Sequence, residues 1–147
     1  DSSTSRGLGD VYKRQNVSDD PEYFDLKVRQ DVKDWQRMYS ELLEGTAGSR
    51  IIPSDLEVVT HGGYIGPGYG SCDEEVFRTI QEVAVSEGLF LDPVYTGKAF
   101  HGLVTELNKG SEGALANADN ILFVHTGGLF GLFPQQKGFA FPGFADF

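Results

Sequence analysis

Apolar residues recur at two different spacings along this chain, and the change from one to the other marks out its elements. Phe24, Val28, Val32, Trp35, Tyr39 and Leu42 keep helical spacing. Ahead of them, Ser18-Asp19-Asp20-Pro21-Glu22 supplies capping side chains, a proline for the first turn and early acid for the helix dipole. The spacing predicts one long amphipathic helix that ends near Gly45 and packs its apolar stripe into a core. Thr46 to Pro53 reads as a connection, and Leu56, Val58 and Val59 predict a short strand. A second helix starts at Ser71-Cys72-Asp73-Glu74-Glu75, buries Val76, Phe77, Ile80, Val83 and Ala84, and stops at Gly88. Leu89, Phe90 and Leu91 then predict a strand end, broken by Asp92-Pro93 because proline fixes its own φ and restricts the residue before it. Thr96 and Gly97 stand where the cap of a third helix is expected, with Ala99, Phe100, Leu103, Val104 and Leu107 as its apolar face. After a small-residue loop from Lys109 to Ala118, Ile121 to Val124 is an unbroken apolar run, the pattern of a strand buried on both faces.

Helices alternating with short apolar strands predict an α/β fold of three layers, a mostly parallel sheet flanked by helices. In such a sheet, residues between a strand's carboxyl end and the next helix face the crevice where ligands bind, with free backbone N–H groups at hand. Tyr95, Thr96 and Lys98 occupy that position, and Thr126, just past the last apolar run, is predicted at the same edge. Lys98 reads as a charge near the helix N-terminus or as a salt-bridge partner. The stretch from His61 to Gly70 holds five glycines in ten residues, which lets the backbone turn tightly or approach a ligand closely. Its spacing matches neither a dinucleotide nor a Walker fingerprint.

Residues 1–15 show no apolar period and read as an adapter-like, non-native leader without structure. The body runs over residues 16–132. Residues 133–147 form a phenylalanine- and glycine-rich tail without helical or strand period, either an arm that wraps the body or a second subunit, or a disordered end.

At 147 residues the chain has the length of one ordinary domain. Its formal net charge of −10 argues against nucleic acid as a partner, because phosphate binding needs lysine and arginine gathered on one face. No run reaches the length of a membrane span, and no segment has the order of a signal peptide. The single Cys72 makes no internal disulfide and has no cysteine companion for a zinc site. These features point to a reducing compartment, the cytoplasm or an organelle reached by import.

Two blocks carry a resemblance to a known family. DPVYTGKA over residues 92–99, followed by ILFVHTGG over residues 121–128, is similar to the C-terminal half of the D-cysteine desulfhydrase and 1-aminocyclopropane-1-carboxylate (ACC) deaminase family, pyridoxal 5′-phosphate enzymes of the tryptophan-synthase-β class, fold type II. The likeness covers roughly Asn16 to Leu132. It implies a C-terminal part of the larger, cofactor-binding domain, an amino-acid substrate and a homodimer. It further implies cofactor contacts at Thr126, Thr96 and Gly127, with Thr126 toward the pyridine nitrogen and Thr96 on the substrate side of the ring. Tyr95 would stack or handle protons beside the substrate, and Tyr69 is either a substrate contact or an ordinary loop tyrosine. The family's Schiff-base lysine and phosphate-binding loop precede Asn16, so the resemblance implies a fragment that is inactive alone.

The resemblance also implies a glutamate at the position of Thr96 in ACC deaminases and an apolar residue at that of Thr126. A neutral hydroxyl facing the pyridine nitrogen leaves a milder electron sink than a carboxylate does. Removal of an α-proton with loss of a thiolate tolerates that sink better than opening a cyclopropane. The threonine pair therefore favours α,β-elimination from D-cysteine. Two other readings stay open. One is a cofactor-free enzyme using His61, His101 or His125, which no Ser-His-Asp or metal spacing supports. The other is a non-catalytic interaction module built on the glycine loop and the phenylalanine tail.

Overall fold

A computed structural model describes residues 11–15 and 21–139. The chain divides into two compact units, Asp1–His61 and Gly62–Phe147.

In the first unit, strand β1 (Val11–Gln15) pairs in parallel with β2 (Glu57–His61), Val11 opposite Glu57 and Gln15 opposite His61. Parallel neighbours need a crossover. Helix α1 (Pro21–Met38) and the short α2 (Ser40–Leu43) supply it. The single long helix expected from the apolar stripe is thus interrupted at Tyr39, and Trp35, Tyr39 and Leu42 are exposed, Leu42 at 77%. Side chains from α1 tie down the connection instead. Gln36 Nε2 donates to the carbonyls of Gly48 (2.9 Å) and Ile51 (2.7 Å), and Arg29 donates to Pro53 O and Ser54 O. Thr60 Oγ1 on β2 donates to Asp25 Oδ1 on α1 at 2.5 Å.

The strand at Val11–Gln15 departs from the expectation that the leader carries no structure. A β-favouring Val-Tyr pair lies beside an open edge of β2, and the ladder uses it. Residues 1–10 and the expected cap at Ser18-Asp19-Asp20 lie outside the described residues.

In the second unit, α3 (Glu74–Glu87) ends as its sequence predicts. Gly88 takes the left-handed conformation at φ 66° and its N–H returns to Ala84 O. Val76, Ile80 and Val83 of α3 bury themselves with Leu91 as the core, and Cys72, Leu89, Phe100, Phe123, Leu132 and Phe139 pack around it. Helix α4 (Thr96–Asn108) crosses α3 closely at Gly97, where an added Cβ would lie 2.6 Å from both Ile80 Cδ1 and Asp92 O. Only a residue without a side chain fits that crossing. Phe139 meets Phe77 edge-on at 4.8 Å, so the start of the tail joins the core. Ahead of it, Leu129–Gly138 forms a 3-10 helix with Pro134 inside. Phe141, Phe144 and Phe147 lie outside the described residues.

The three-layer parallel sheet is not formed among the described residues, whose sheet has two strands. Leu89 to Leu91 and Ile121 to Val124 belong to no ladder. A strand is defined by its neighbours, and among the described residues these segments pair with none. Just past the second segment, His125 Nε2 donates to Phe90 O at 2.8 Å. The run expected to be buried on both faces leaves Ile121 43%, Leu122 87% and Val124 67% exposed. The apolar face predicted for α4 is likewise partly open, with Leu107 exposed and Thr96, Gly97, Lys98 and Gly102 buried instead.

Candidate active site

The Asp92-Pro93 break sets the geometry of the site. Asp92 is buried, and its carboxylate closes the turn into α4. Oδ2 accepts the N–H groups of Val94 and Tyr95, and Oδ1 accepts the N–H of Thr96, all at 2.8 Å. Thr96 Oγ1 also donates to Asp92 Oδ1 (2.7 Å) and accepts the N–H of Asp92 (2.9 Å). The cap expected from Thr96 and Gly97 is therefore supplied by Asp92. Thr96 is already the first helical residue, and a helix start leaves N–H groups that an aspartate with proline next to it satisfies well.

Lys98 is fully buried. Its Nζ donates to Ile65 O (2.6 Å) and Gly68 O (2.8 Å) in the glycine-rich loop. It forms no salt bridge among the described residues, which corrects the ion-pair expectation. Burial pushes the Lys98 ammonium below the ordinary lysine value, and Cys72, Asp73 and Asp92 offset part of that shift. Burial also pushes the Cys72 thiol up to about 11, against the pull of Lys98.

Held from both sides in this way, Tyr69 and Tyr95 meet at the surface. Their hydroxyls are hydrogen-bonded, and the rings stand edge to face at 6.0 Å. Both rings are exposed, Tyr69 at 65% and Tyr95 at 43%. The hydrogen bond to Tyr69 raises the Tyr95 hydroxyl above the usual phenol value, with desolvation second.

Thr126 is exposed, and no hydrogen bond to its hydroxyl is present among the described residues. Gly127 and Gly128 after it both have φ 96°. A Cβ on Gly128 would strike Asp92 Oδ1 at 2.7 Å, so this turn lies directly against the Asp92 carboxylate, whereas one on Gly127 would meet open space. His125 Nδ1 accepts the Gly127 N–H at 3.0 Å, which places the ring proton on Nε2, where it donates to Phe90 O. His125 is thereby occupied as a turn brace. His101 is similarly engaged. The Thr79 hydroxyl donates to Glu75 O, so the His101 Nδ1 proton points to Thr79 Oγ1 at 3.0 Å. No group of acidic, histidine or cysteine side chains that would hold a metal ion occurs among the described residues.

Sequence reasoning selected Tyr69, Tyr95, Thr96, Thr126 and Gly127, and missed Asp92 and the full burial of Lys98. The signal for Asp92 was present, because an Asp-Pro pair before a helix is a strong start signature. For Lys98 the signal was its place one turn after Tyr95.

Comparison with known proteins agrees with the resemblance in the two blocks. No family model matches the chain. Over 90 residues it is 46% identical to a Thermotoga maritima protein named "Putative 1-aminocyclopropane-1-carboxylate deaminase", covering 61% of this chain and 26% of that protein. Over 112 residues it is 34% identical to the D-cysteine desulfhydrase of Klebsiella pneumoniae, covering 76% of this chain and 33% of that enzyme. The chain belongs to the D-cysteine desulfhydrase and ACC deaminase family. A relative from Pyrococcus abyssi carrying the same deaminase name is 51% identical over 65 residues, 44% of this chain and 18% of that protein. The chain thus spans a third or less of the length of these D-cysteine desulfhydrase and ACC deaminase relatives. No described helix is long and apolar enough to cross a membrane.

Proposed function

We propose that this chain forms one wall of the active site of a pyridoxal phosphate-dependent lyase. The reaction is α,β-elimination from D-cysteine or a related β-substituted amino acid, with water completing the conversion to pyruvate, ammonia and sulfide. The observation that carries this reading is the exposed, hydrogen-bonded Tyr69–Tyr95 pair, set on a turn locked by Asp92. It accompanies the similarity to a protein named D-cysteine desulfhydrase over 76% of the chain.

The residues present fit the cofactor in part. Thr126 is exposed with an uncommitted hydroxyl, and Gly127 leaves open space beside it. Thr126 would face the pyridine nitrogen and Gly127 would line the ring. Thr96 keeps one lone pair beyond its two bonds to Asp92, so its contribution is to hold the turn first and to face the ring second. Bound there, the cofactor would supply an electron sink next to the substrate nitrogen. Tyr95 and Tyr69 hold a phenolic proton between their two oxygens at the open edge, where a substrate group can take or return it. Lys98 is committed to two carbonyls and is not the Schiff-base lysine. In this reading the chain alone is inactive, because the resemblance places the family's Schiff-base lysine ahead of Asn16, and the whole enzyme is a homodimer of the cytoplasm or of an organelle reached by import.

The second reading is ACC deamination, favoured by the 46% and 51% identities to proteins carrying that name. The two are separated by assaying the full-length parent protein with pyridoxal phosphate, following sulfide and pyruvate from D-cysteine and ammonia from ACC. Elimination predicts both products from D-cysteine and a changed cofactor absorbance in Thr126→Ala. Folded, supplemented protein without cofactor absorbance would overturn both readings.

A further inference from the structure

The loop that carries Tyr69 has few backbone bonds of its own. Gly66, Gly68 and Gly70 all have positive φ, at 66°, 140° and 74°. This alternation turns the carbonyls of Ile65, Gly68 and Gly70 toward side-chain donors. Lys98 takes the first two, and Gln135 Nε2 takes Gly70 O at 2.9 Å. The one backbone bond within the turn, Ser71 N to Gly68 O, is long at 3.3 Å.

Tyr95 and Lys98 are three residues apart at the start of α4, and side chains at that spacing share a helix face. Both reach the same loop. Tyr95 meets the hydroxyl of Tyr69, and Lys98 meets the carbonyl of Gly68, the residue just before it. Asp92 fixes the Tyr95 backbone at the other end of the same turn. A buried ammonium with two carbonyls is costly to place and strongly directional once placed.

We propose that Lys98 is a positioning residue for catalysis, its ammonium clamping Ile65 O and Gly68 O so that Tyr69 is held in register with Tyr95. The inference rests on the lyase reading, in which those two phenols face the substrate. It adds the residue that sets their separation. Lys98 touches neither substrate nor cofactor, and acts through the loop.

The clamp is tested without turnover. In the 147-residue chain, Lys98 should give a slowly exchanging ammonium resonance in nitrogen-edited NMR, with contacts to the Gly68 and Tyr69 α-protons. With tyrosine labelled at Cζ and assigned through Tyr69→Phe and Tyr95→Phe, Tyr95 should titrate above the ordinary phenol range. In Lys98→Met, checked as folded by circular dichroism, it should fall back toward that range. A folded Lys98→Met protein with unchanged Tyr95 titration would overturn the proposal, as would a wild-type chain lacking the protected ammonium signal. The wild-type signal decides the matter if Lys98→Met does not fold.

In the parent enzyme, Lys98→Met should lower kcat about ten-fold or more with little change in KM, because misplacing a reacting group costs turnover before binding. An NMR clamp in a parent that does not turn over D-cysteine or ACC would refute the lyase reading alone. Turnover without the clamp would refute the positioning role alone.

Discussion

Thr96 and Asp92 exchange two hydrogen bonds: the Thr96 hydroxyl donates to the Asp92 carboxylate at 2.7 Å and accepts the Asp92 N–H at 2.9 Å. With three further N–H groups on the same carboxylate, four donors converge on one buried acid. Asp92→Ala should therefore destabilise the second unit by about 2–4 kcal/mol, since it removes a helix-start anchor and strands buried N–H groups. Asp92→Asn should lose roughly half of that, as one acceptor oxygen survives. Urea unfolding followed by circular dichroism reads both, and equal stability of Asp92→Ala and wild type would rule out this account of the turn.

Gly97→Ala should cost roughly 2 kcal/mol or more, because the new methyl would overlap Ile80 and the Asp92 carbonyl at the α3–α4 crossing. Combining it with Ile80→Val, which trims the side chain it strikes, should recover part of the loss in the same unfolding experiment. No recovery would place the cost on the backbone carbonyl alone.

Cys72 should be a poor nucleophile. A thiol pushed up to about 11 holds little thiolate at pH 8, so alkylation by iodoacetamide should run roughly a hundred-fold slower than for a free cysteine. Labelling is unambiguous because the chain has one cysteine. Lys98→Met removes the cation that favours the thiolate and should slow the reaction further, whereas labelling at the rate of the urea-unfolded chain would contradict the burial.

Glu106 gives the second unit an acid dependence. Its carboxylate accepts the Ala114 N–H and the Lys109 ammonium at 2.6 Å, and it is bonded to the Tyr64 hydroxyl. These partners lower it from the model-compound value of 4.5 to about 2, with the Ala114 bond contributing most. A carboxyl lowered on folding stabilises fully above its unfolded value, and that contribution is lost as pH falls from about 4.5 toward 2. Glu106→Gln should flatten stability across this window and cost about 1–2 kcal/mol at neutral pH. A wild-type midpoint unchanged between pH 5 and pH 3 would contradict the network.

Helices α3 and α4 were legible because their signals are local. Gly88 ends α3, the acidic Glu74-Glu75 pair opens it, and Val76, Ile80 and Val83 define its buried stripe. β2 was legible to within two residues from its valines. The remaining strands were not, because an apolar run announces burial without naming what it pairs with. Leu91 is buried through packing alone, and Ile121 to Val124 is neither paired nor well covered. Within the site, residue type pointed to Tyr69 and Tyr95 separately. Their hydroxyls meet across 26 residues of sequence, and Lys98 reaches Gly68 O and Ile65 O across 30 and 33, distances at which spacing carries no information.

The segment from Ile121 to Val124 has a consequence for handling the protein. Leu122 and Val124 face solvent on a stretch whose backbone groups belong to no sheet, and such a stretch is a template on which another chain can add a strand. Leu122→Lys should accordingly raise the concentration at which the chain stays monomeric, read by sedimentation across a concentration series. The charge lies far from the Asp92 turn in sequence and has no role in the tyrosine pair.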